Sequence, residues 1–561
     1  MPEPSAFRLP RQELDFEIDR LMSVVIEDGV VHSTVQDLPI PDVDVGAFFR
    51  SACRKFRDRT ALIEDETGER CSFQRLEELC SRVAVGLKKL GFRPGDMAGI
   101  HSAVNLDLVF AFYGALFAGG SVVFAKSNLT QREVAYQFGD SGPSLVFCDE
   151  QNADKTLKAC RTLPSVKTLV VIGQRPDMIS FSTLKQSPLS EFRPPESIDP
   201  QDIMAILYSS GTTGFPKGVM MSHKNFLAQV LVSGDGGSRL LEKNDIMLGI
   251  APFTHVSGLW LYSTALSVGA TVVMLSKNEP KDVVLAIEKY KVTQMIQFPT
   301  FAQKFLQCPL VDKHDLSTMK KLIIGGSTTP TVVARGIIDK LKLKSFRHVY
   351  GLSETCGAVA VTPASIEHYE SVGMPNPLTQ MKVVDVGTGK KLGPHQLGEV
   401  CVKSIYCVRG YFNKPEATAK LYDDEGFLKT GDVGYYTKDG YFYIVDRIKE
   451  LIKCMDQQVA PAELEDLLLK HEAVKEVVVT GVPHPDFGEA ARAYVVLFQG
   501  FLESKALEGQ LKKLISDQSA PHKQLHGGIE FVSNIPKSDT GKNLRRALRD
   551  SYMKRLVAAA K

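Results

Sequence analysis

The ten cysteines of this 561-residue chain include no Cys-x-x-Cys pair and no metal-ligand spacing. That excludes a zinc scaffold, provides no disulfide framework, and fits reduced thiols in an intracellular protein. Long apolar runs are also missing. The most apolar stretch, Leu106 to Gly119, has fourteen residues, short of the roughly 20 that span a bilayer, and reads as a buried helix. Net charge is almost absent, with 67 basic against 65 acidic side chains, which argues against nucleic acid as a partner read by bulk charge. Glu3, Glu13, Asp15, Glu17 and Asp19 place acid where a secretory signal or organelle presequence has little. The C-terminus reads Ala559-Ala560-Lys561, not the peroxisomal Ser-Lys-Leu address. A cytoplasmic location is expected, with the peroxisome left open. Repeats and low-complexity tracts are lacking, and residues 1 to 40 carry no interpretable motif.

Length alone suggests about two to four domains. Met97–Ser102, Asn105–Ala118, Ser121–Ala125, Thr130–Phe138 and Ser144–Cys148 alternate between strand-like and helix-like composition. The rhythm returns in Asp245–Ile250, Gly258–Val268, Ala270–Leu275, Pro280–Tyr290 and Gln294–Phe298. Alternation of this kind predicts α/β architecture with parallel sheets flanked by helices. From Gln380 to Val445, short apolar runs broken by glycine predict a small β-rich subdomain. After Val445 the composition changes to a unit of about 115 residues. Pro461 opens a helix through Lys470, Val474–Val479 and Ala493–Phe498 read as strands, and Leu507–Ser516 has helically spaced leucines, so this unit reads as α+β.

Residues 208 to 218 read Tyr-Ser-Ser-Gly-Thr-Thr-Gly-Phe-Pro-Lys-Gly. Backbone N–H groups freed by Gly211, Gly214 and Gly218 can form a nest for anionic oxygens. Ser209, Ser210, Thr212 and Thr213 add donors, and Lys217 adds a positive charge. The composition suits a triphosphate, although the spacing is not that of the common P-loop, where Ser or Thr follows the lysine. A glycine-rich surface turn is the plain alternative.

Six further segments follow in order: Pro252-Phe253-Thr254-His255-Val256-Ser257-Gly258, Gly325-Gly326-Ser327, Tyr350-Gly351-Leu352-Ser353-Glu354-Thr355, Thr430-Gly431-Asp432, Asp446-Arg447-Ile448-Lys449-Glu450-Leu451-Ile452-Lys453, and Pro536-Lys537-Ser538-Asp539-Thr540-Gly541-Lys542. With the phosphate-loop candidate they resemble the adenylate-forming superfamily, which includes acyl-CoA synthetases, 4-coumarate–CoA ligases and beetle luciferases. The resemblance runs from about residue 45 to the C-terminus. It implies an N-terminal extension over 1–45, a large multi-lobed adenylation domain over 46–445, a hinge at 446–449 and a small mobile C-terminal lid over 450–561.

Joining a carboxylate to ATP brings two anions together, so a site must neutralise the triphosphate, place the acid oxygen in line with the α-phosphorus and stabilise the developing charge. The resemblance assigns parts to that task. Ser209, Ser210, Gly211, Thr212, Thr213, Gly214 and Lys217 match the phosphate loop. Gly326 and Ser327 form the nucleotide shelf with Tyr350, whose ring would face adenine. Asp432 matches the ribose-binding carboxylate. Arg447 matches a phosphate- and ribose-side contact, and a local ion pair with Asp446 is its plain alternative.

Glu354 matches the Mg²⁺-holding glutamate, with Ser353 in the place of the usual threonine, and one carboxylate plus phosphates suffices for that ion. Lys542 matches the lysine that delivers charge between acid oxygen and α-phosphate, worth about 10²–10³ in rate. His255 matches the histidine closing the acid pocket. Lys449 matches the hinge position, Lys453 the lysine facing the adenylate after the lid rotates, and Lys277 a contact to the nucleotide portion of coenzyme A. A solvated lysine after a strand is the alternative for Lys277. The absence of an aromatic residue at Ser257 and the lone tryptophan, Trp260, favour an aliphatic acid over a phenylpropanoid.

The chain departs from the family pattern at Asp456, where a glycine is usual in the segment Ile452 to Pro461. A negative charge some 5–8 Å from a thiolate, at an effective dielectric near 20, would oppose it by roughly 2–3 kcal/mol. The expectation is that adenylation survives while transfer to coenzyme A is slowed or redirected. His348 and Val349 replace the usual Gln-Gly, and Ser327-Thr328-Thr329 differs from the usual Ala-rich shelf, so ATP affinity is expected to shift.

The expected activity is an ATP-dependent carboxylic acid–CoA ligase that uses ATP, Mg²⁺ and coenzyme A on a small carboxylic acid. The alternatives are a luciferase-like oxygenase, an amino-acid-activating domain, disfavoured because no carrier domain follows Lys561, and a nucleotide-binding protein with impaired transfer.

Overall fold

The computed structural model describes residues 23–209, 216–234, 237–327, 329–455, 457–538 and 541–559. Two largely parallel sheets form the body. The seven-stranded sheet runs in the order Lys217–Ser222, Ile203–Ser209, Ser121–Ala125, Met97–His101, Leu145–Asp149, Thr168–Ile172 and Ile179–Ser180. Its central strands Ser121–Ala125 and Leu145–Asp149 are buried at every position, as parallel strands covered on both faces must be. The fourteen-residue apolar stretch becomes the helix Leu106–Phe117, buried almost all round and capped by Asn105, whose Oδ1 accepts from Leu108 N at 2.8 Å. Among the described residues no helix is long and apolar enough to cross a membrane.

The nine-stranded sheet positions more of the chemistry. Ser345–Leu352, Lys321–Gly325, Gln294–Gln297, Ile246–Gly249, Thr271–Met274 and Thr60–Glu64 lie side by side in that order, all parallel. Antiparallel strands finish both edges. The periodicity located Ile246–Gly249, Thr271–Met274 and Gln294–Gln297 to within about one residue at each end; the helix Pro280–Tyr290, begun by proline, coincides with its predicted limits.

The β-rich region is a six-stranded antiparallel sheet: Val24–Glu27, Val30–Ser33, Thr379–Val384, Gly398–Ser404, Leu428–Tyr436 and Phe442–Arg447. Two of its strands come from the segment 1–45, in which the sequence offered no interpretable motif over residues 1 to 40. Gln380 pairs with His32 and Lys382 with Val30, so this part of the N-terminus is built into the body. The hairpin turn is Asp28-Gly29, at φ 48° and 71°, the two successive positive φ values that a tight two-residue connection requires.

The C-terminal unit is a five-stranded sheet around the hairpin Val474–His484 and Gly488–Leu497, with Ile529–Phe531 parallel to the latter. Helices Pro461–Leu468 and Lys505–Ser516 cover it, and Leu464, Leu468, Leu507, Leu511 and Ile515 join its own apolar core.

Candidate active site

Four adjacent strands of the nine-stranded sheet end on one rim, where parallel α/β sheets place ligands. In spatial order they present Tyr350, within Ser345–Leu352; Gly326, after Lys321–Gly325; Phe298, after Gln294–Gln297; and His255, after Ile246–Gly249. The His255 ring meets the Phe298 ring edge-on at 6.3 Å. His255 also caps the helix Val256–Val268, its Nδ1 accepting from Ser257 N at 3.2 Å with the Ser257 hydroxyl at 2.8 Å. A Cβ built on Gly326 would lie 2.8 Å from the Phe298 ring and 3.9 Å from Lys542 Cε.

Lys542 therefore reaches this rim from the C-terminal unit. Its loop docks on the helix Pro299–Leu306. Gly541 has φ 77°, and a Cβ there would meet Thr300 Oγ1 at 2.6 Å, so the approach needs glycine on two counts. Nearby, Gln303 Nε2 donates to Lys475 O at 2.6 Å. Burial lowers the Lys542 amine to about 8, Arg447 adding to the effect while Asp432 and Glu450 oppose it.

Asp432 lies beside that lysine at 4 % exposure. It is placed by the turn in which Thr430 Oγ1 donates to Val400 O and accepts from Asp432 N at 3.1 Å. Its Oδ2 accepts from the Tyr350 hydroxyl at 2.7 Å and its Oδ1 faces Arg447 Nε at 3.1 Å. Burial still raises the carboxyl above its ordinary value, against the pull of Arg447 and Tyr350. Asp432 and Arg447 are direct cross-strand neighbours. The guanidinium thus pairs with Asp432, whereas Asp446 Oδ1 receives the Arg447 backbone N–H, and the local ion pair considered from sequence is not formed.

The phosphate-loop candidate joins two antiparallel strands, with Ser209 paired opposite Lys217; Ser210, Gly211, Thr212, Thr213 and Gly214 lie outside the described residues. Lys217 Nζ stands 4.9 Å from the centre of the Tyr411 ring. The Tyr411 hydroxyl donates to Glu354 Oε1 at 2.8 Å. Glu354 and Ser353 sit in the single turn Ser353–Thr355 that follows the Tyr350 strand. Gly326 and Ser327 are exposed.

Lys277 is exposed after Thr271–Met274, the strand next beyond that of His255, and no described contact joins it to the other site residues. Lys449 is exposed between Arg447 and the C-terminal unit. Lys453 is exposed on the strand Ile452–Cys454, its backbone N–H donating to Glu489 Oε2 at 3.0 Å. Met455, at φ 53°, starts the turn between the strands paired at Cys454 and Gln457; Asp456 lies outside the described residues. Trp260 is 2 % exposed and donates its indole N–H to Ser233 Oγ at 2.8 Å, so it belongs to the packed core.

Sequence reading missed Phe298, Thr300 and Tyr411. Phe298-Pro299 carried a signal, a strand end followed by a proline suited to a first helical turn. Behind Lys542, Arg545 binds Glu450 Oε2 at 3.0 Å, Val479 O at 2.7 Å and Glu465 through its two terminal guanidinium nitrogens.

The AMP-binding enzyme family model matches residues 49–412, and the model of the AMP-binding enzyme C-terminal domain matches 463–542. A luciferin 4-monooxygenase of Photinus pyralis is 33% identical over 85% of this chain and 88% of its own. The 4-coumarate–CoA ligase 2 of Petroselinum crispum is 33% identical over 93% and 97%. Among solved structures, ATP-bound MatB from Rhodopseudomonas palustris superposes with a TM-score of 0.83 at 26% identity, over 91% of this chain and 99% of that one. With these motifs, this fold and these matches, the chain belongs to the adenylate-forming superfamily, in its group of AMP-forming acyl-CoA synthetases, 4-coumarate–CoA ligases and luciferases.

Proposed function

We propose that this chain is an ATP-dependent carboxylic acid–CoA ligase acting through an acyl-adenylate. The observation that carries this reading is the seating of Lys542 against Gly326, next to the Tyr350–Asp432–Arg447 group. A lid lysine, a nucleotide shelf and a ribose-side carboxylate share one rim, the arrangement that the first half-reaction requires. A carboxylate oxygen attacks the α-phosphorus, the bond to the β-phosphate breaks, and pyrophosphate leaves with the electron pair. Lys542 stabilises the charge that develops between the acid oxygen and the phosphorus. In the second half-reaction the coenzyme A thiolate attacks the acyl carbon and AMP leaves. Lys453 would then replace Lys542 at the adenylate, with the C-terminal unit turning at Lys449.

Glu354 fits a place in a magnesium site. Its half-buried carboxylate is held at Oε1 by Tyr411, and among the described residues no hydrogen bond is made to Oε2. No cluster of three or more His, Cys, Asp or Glu among the described residues could hold a metal unaided. Magnesium here would draw its remaining oxygens from phosphates and water, and would neutralise phosphate charge when bound. For the acid, Ser257, with its hydroxyl beside His255, offers no aromatic face, and an aliphatic substrate is the reading we favour; Trp260, packed in the core, no longer bears on that choice.

The test is pyrophosphate release with ATP, Mg²⁺ and a panel of fatty and aryl acids, each with and without coenzyme A. Acid-dependent release accelerated by coenzyme A supports the ligase and identifies its substrate class. A single turnover indifferent to coenzyme A points to another acceptor. Light emission with a luciferin would move the assignment to the oxygenating relatives.

A further inference from the structure

The segment that follows the strand Gly398–Ser404 touches both ends of the phosphate site. Val408 N donates to Glu354 O at 2.9 Å. Two residues on, the chain runs along the phosphate hairpin: Met220 N donates to Gly410 O at 3.2 Å, Phe412 N to Gly218 O at 2.8 Å, and Tyr411 bridges to Val219. Tyr411 is fixed at its own backbone by Thr418 Oγ1, which accepts from its N–H at 3.0 Å. Its side chain then does two separate things. The hydroxyl donates to Glu354 Oε1 at 2.8 Å, and the ring face receives Lys217 Nζ at 4.9 Å, within the range of a cation–π contact.

We infer that Tyr411 is a positioning residue for the Mg²⁺–triphosphate complex, one side chain that sets the orientation of the Glu354 carboxylate and the place of the Lys217 ammonium at once. A phenol is protonated at neutral pH, so the hydroxyl acts as the donor in this bond. With Oε1 occupied by that donor, the carboxylate offers a metal its other oxygen. Partners that orient a metal ligand in this way typically change metal affinity or activity by about 10–100-fold when removed.

The inference rests on the adenylating function proposed above. Its test therefore measures binding as well as turnover: calorimetric titration of the full chain with ATP, with and without Mg²⁺, alongside the kinetics of acid-dependent pyrophosphate release. Tyr411→Phe keeps the ring under Lys217 and removes only the hydroxyl. It is expected to raise the half-saturating Mg²⁺ concentration roughly tenfold or more, to weaken ATP binding only when Mg²⁺ is present, and to leave transfer from a supplied acyl-adenylate unchanged. Tyr411→Leu, which also removes the ring, should weaken ATP binding without Mg²⁺ too.

Tyr422→Phe is the structural control, because the Tyr422 hydroxyl bonds Val408 O in the same segment; it should lower thermal stability without moving the Mg²⁺ dependence. Equal Mg²⁺ dependence in the parent chain and Tyr411→Phe would overturn the inference, as would equal shifts in Tyr411→Phe and Tyr422→Phe. A parent chain that binds no ATP with or without Mg²⁺ would instead overturn the function on which it rests.

Discussion

Lys542 and Lys453 belong to the same C-terminal unit and stand in opposite environments. Lys542 follows a glycine at φ 77° that lies against Thr300 of the body, itself reaches Gly326, and has its amine lowered to about 8. Lys453 is exposed on a short strand, with its backbone tied to Glu489 of the same unit. One domain thus offers two cations, of which the structure seats one. A two-step reaction needs such an arrangement if each lysine is to serve one step, and on the function proposed above this geometry suits the step that needs charge at the phosphorus.

The most forceful way to break the comparison is to remove each amine. Lys542→Ala is expected to lower acid-dependent pyrophosphate release about 10²–10³-fold while largely sparing thioester formation from a supplied acyl-adenylate. Lys453→Ala should show the reverse bias. Equal losses in both steps from both variants, measured by single-turnover assays, would mean that the two lysines do not alternate.

Next in size is Asp432→Ala, which strips Tyr350 and Arg447 of their shared carboxylate. Hydrogen bonds to a charged group are worth roughly 1.5–3 kcal/mol, so the KM for ATP should rise at least about tenfold with a smaller effect on coenzyme A. A KM within twofold of the parent would detach this group from the nucleotide.

Asp456→Gly removes a negative charge from the segment beside Lys453. Thioester formation with free coenzyme A should accelerate roughly tenfold or more if that charge opposes the thiolate, with adenylation unchanged. Identical thioester rates before and after the change would end the case for a redirected acceptor.

The smallest effect is in pH. The docked Lys542 amine is discharged as pH rises through about 8, below the ordinary lysine range, because burial disfavours its charge. The kcat/KM for adenylation, which reports the free enzyme, should fall above that pH. Bound phosphates favour the protonated amine, so the alkaline limb of kcat should lie higher. Coincident limbs would show that Lys542 feels no nucleotide.

What the sequence made legible followed from local physics. Alternating periodicity placed six of the parallel strands, from Met97–His101 to Gln294–Gln297, and proline fixed the starts of Pro280–Tyr290 and Pro461–Leu468. Hydroxyl-rich, glycine-rich and lysine-bearing loops pointed to phosphate chemistry. The hairpin Val24–Ser33 also had a local signal, Asp28-Gly29 between valine-rich runs, but its partner strand Thr379–Val384 lies some 350 residues away, and a hairpin alone does not declare which sheet it joins. Tyr411 was opaque for a related reason. Its neighbours are Lys217, in a strand of the seven-stranded sheet, and Glu354, in the turn after a strand of the nine-stranded one, and an aromatic residue in a loop is informative only once those sheets are set side by side. The pairing of Arg447 with Asp432 rather than Asp446 was equally hidden, because alternation across the strands, not adjacency in the chain, decides which carboxylate faces the guanidinium.

The Arg545 contacts have a mechanical consequence. Arg545 lies three residues beyond Lys542 and grips Glu450, the residue next to Lys449, together with Glu465 and the Val479 carbonyl. Lys542 and the proposed pivot are thereby riveted to the same solid. If the chain swivels at Lys449, little of the turn can be absorbed as slack in between, and the lysine tip must move as the end of a stiff lever arm. Loosening that rivet would leave both half-sites intact and uncouple the stroke.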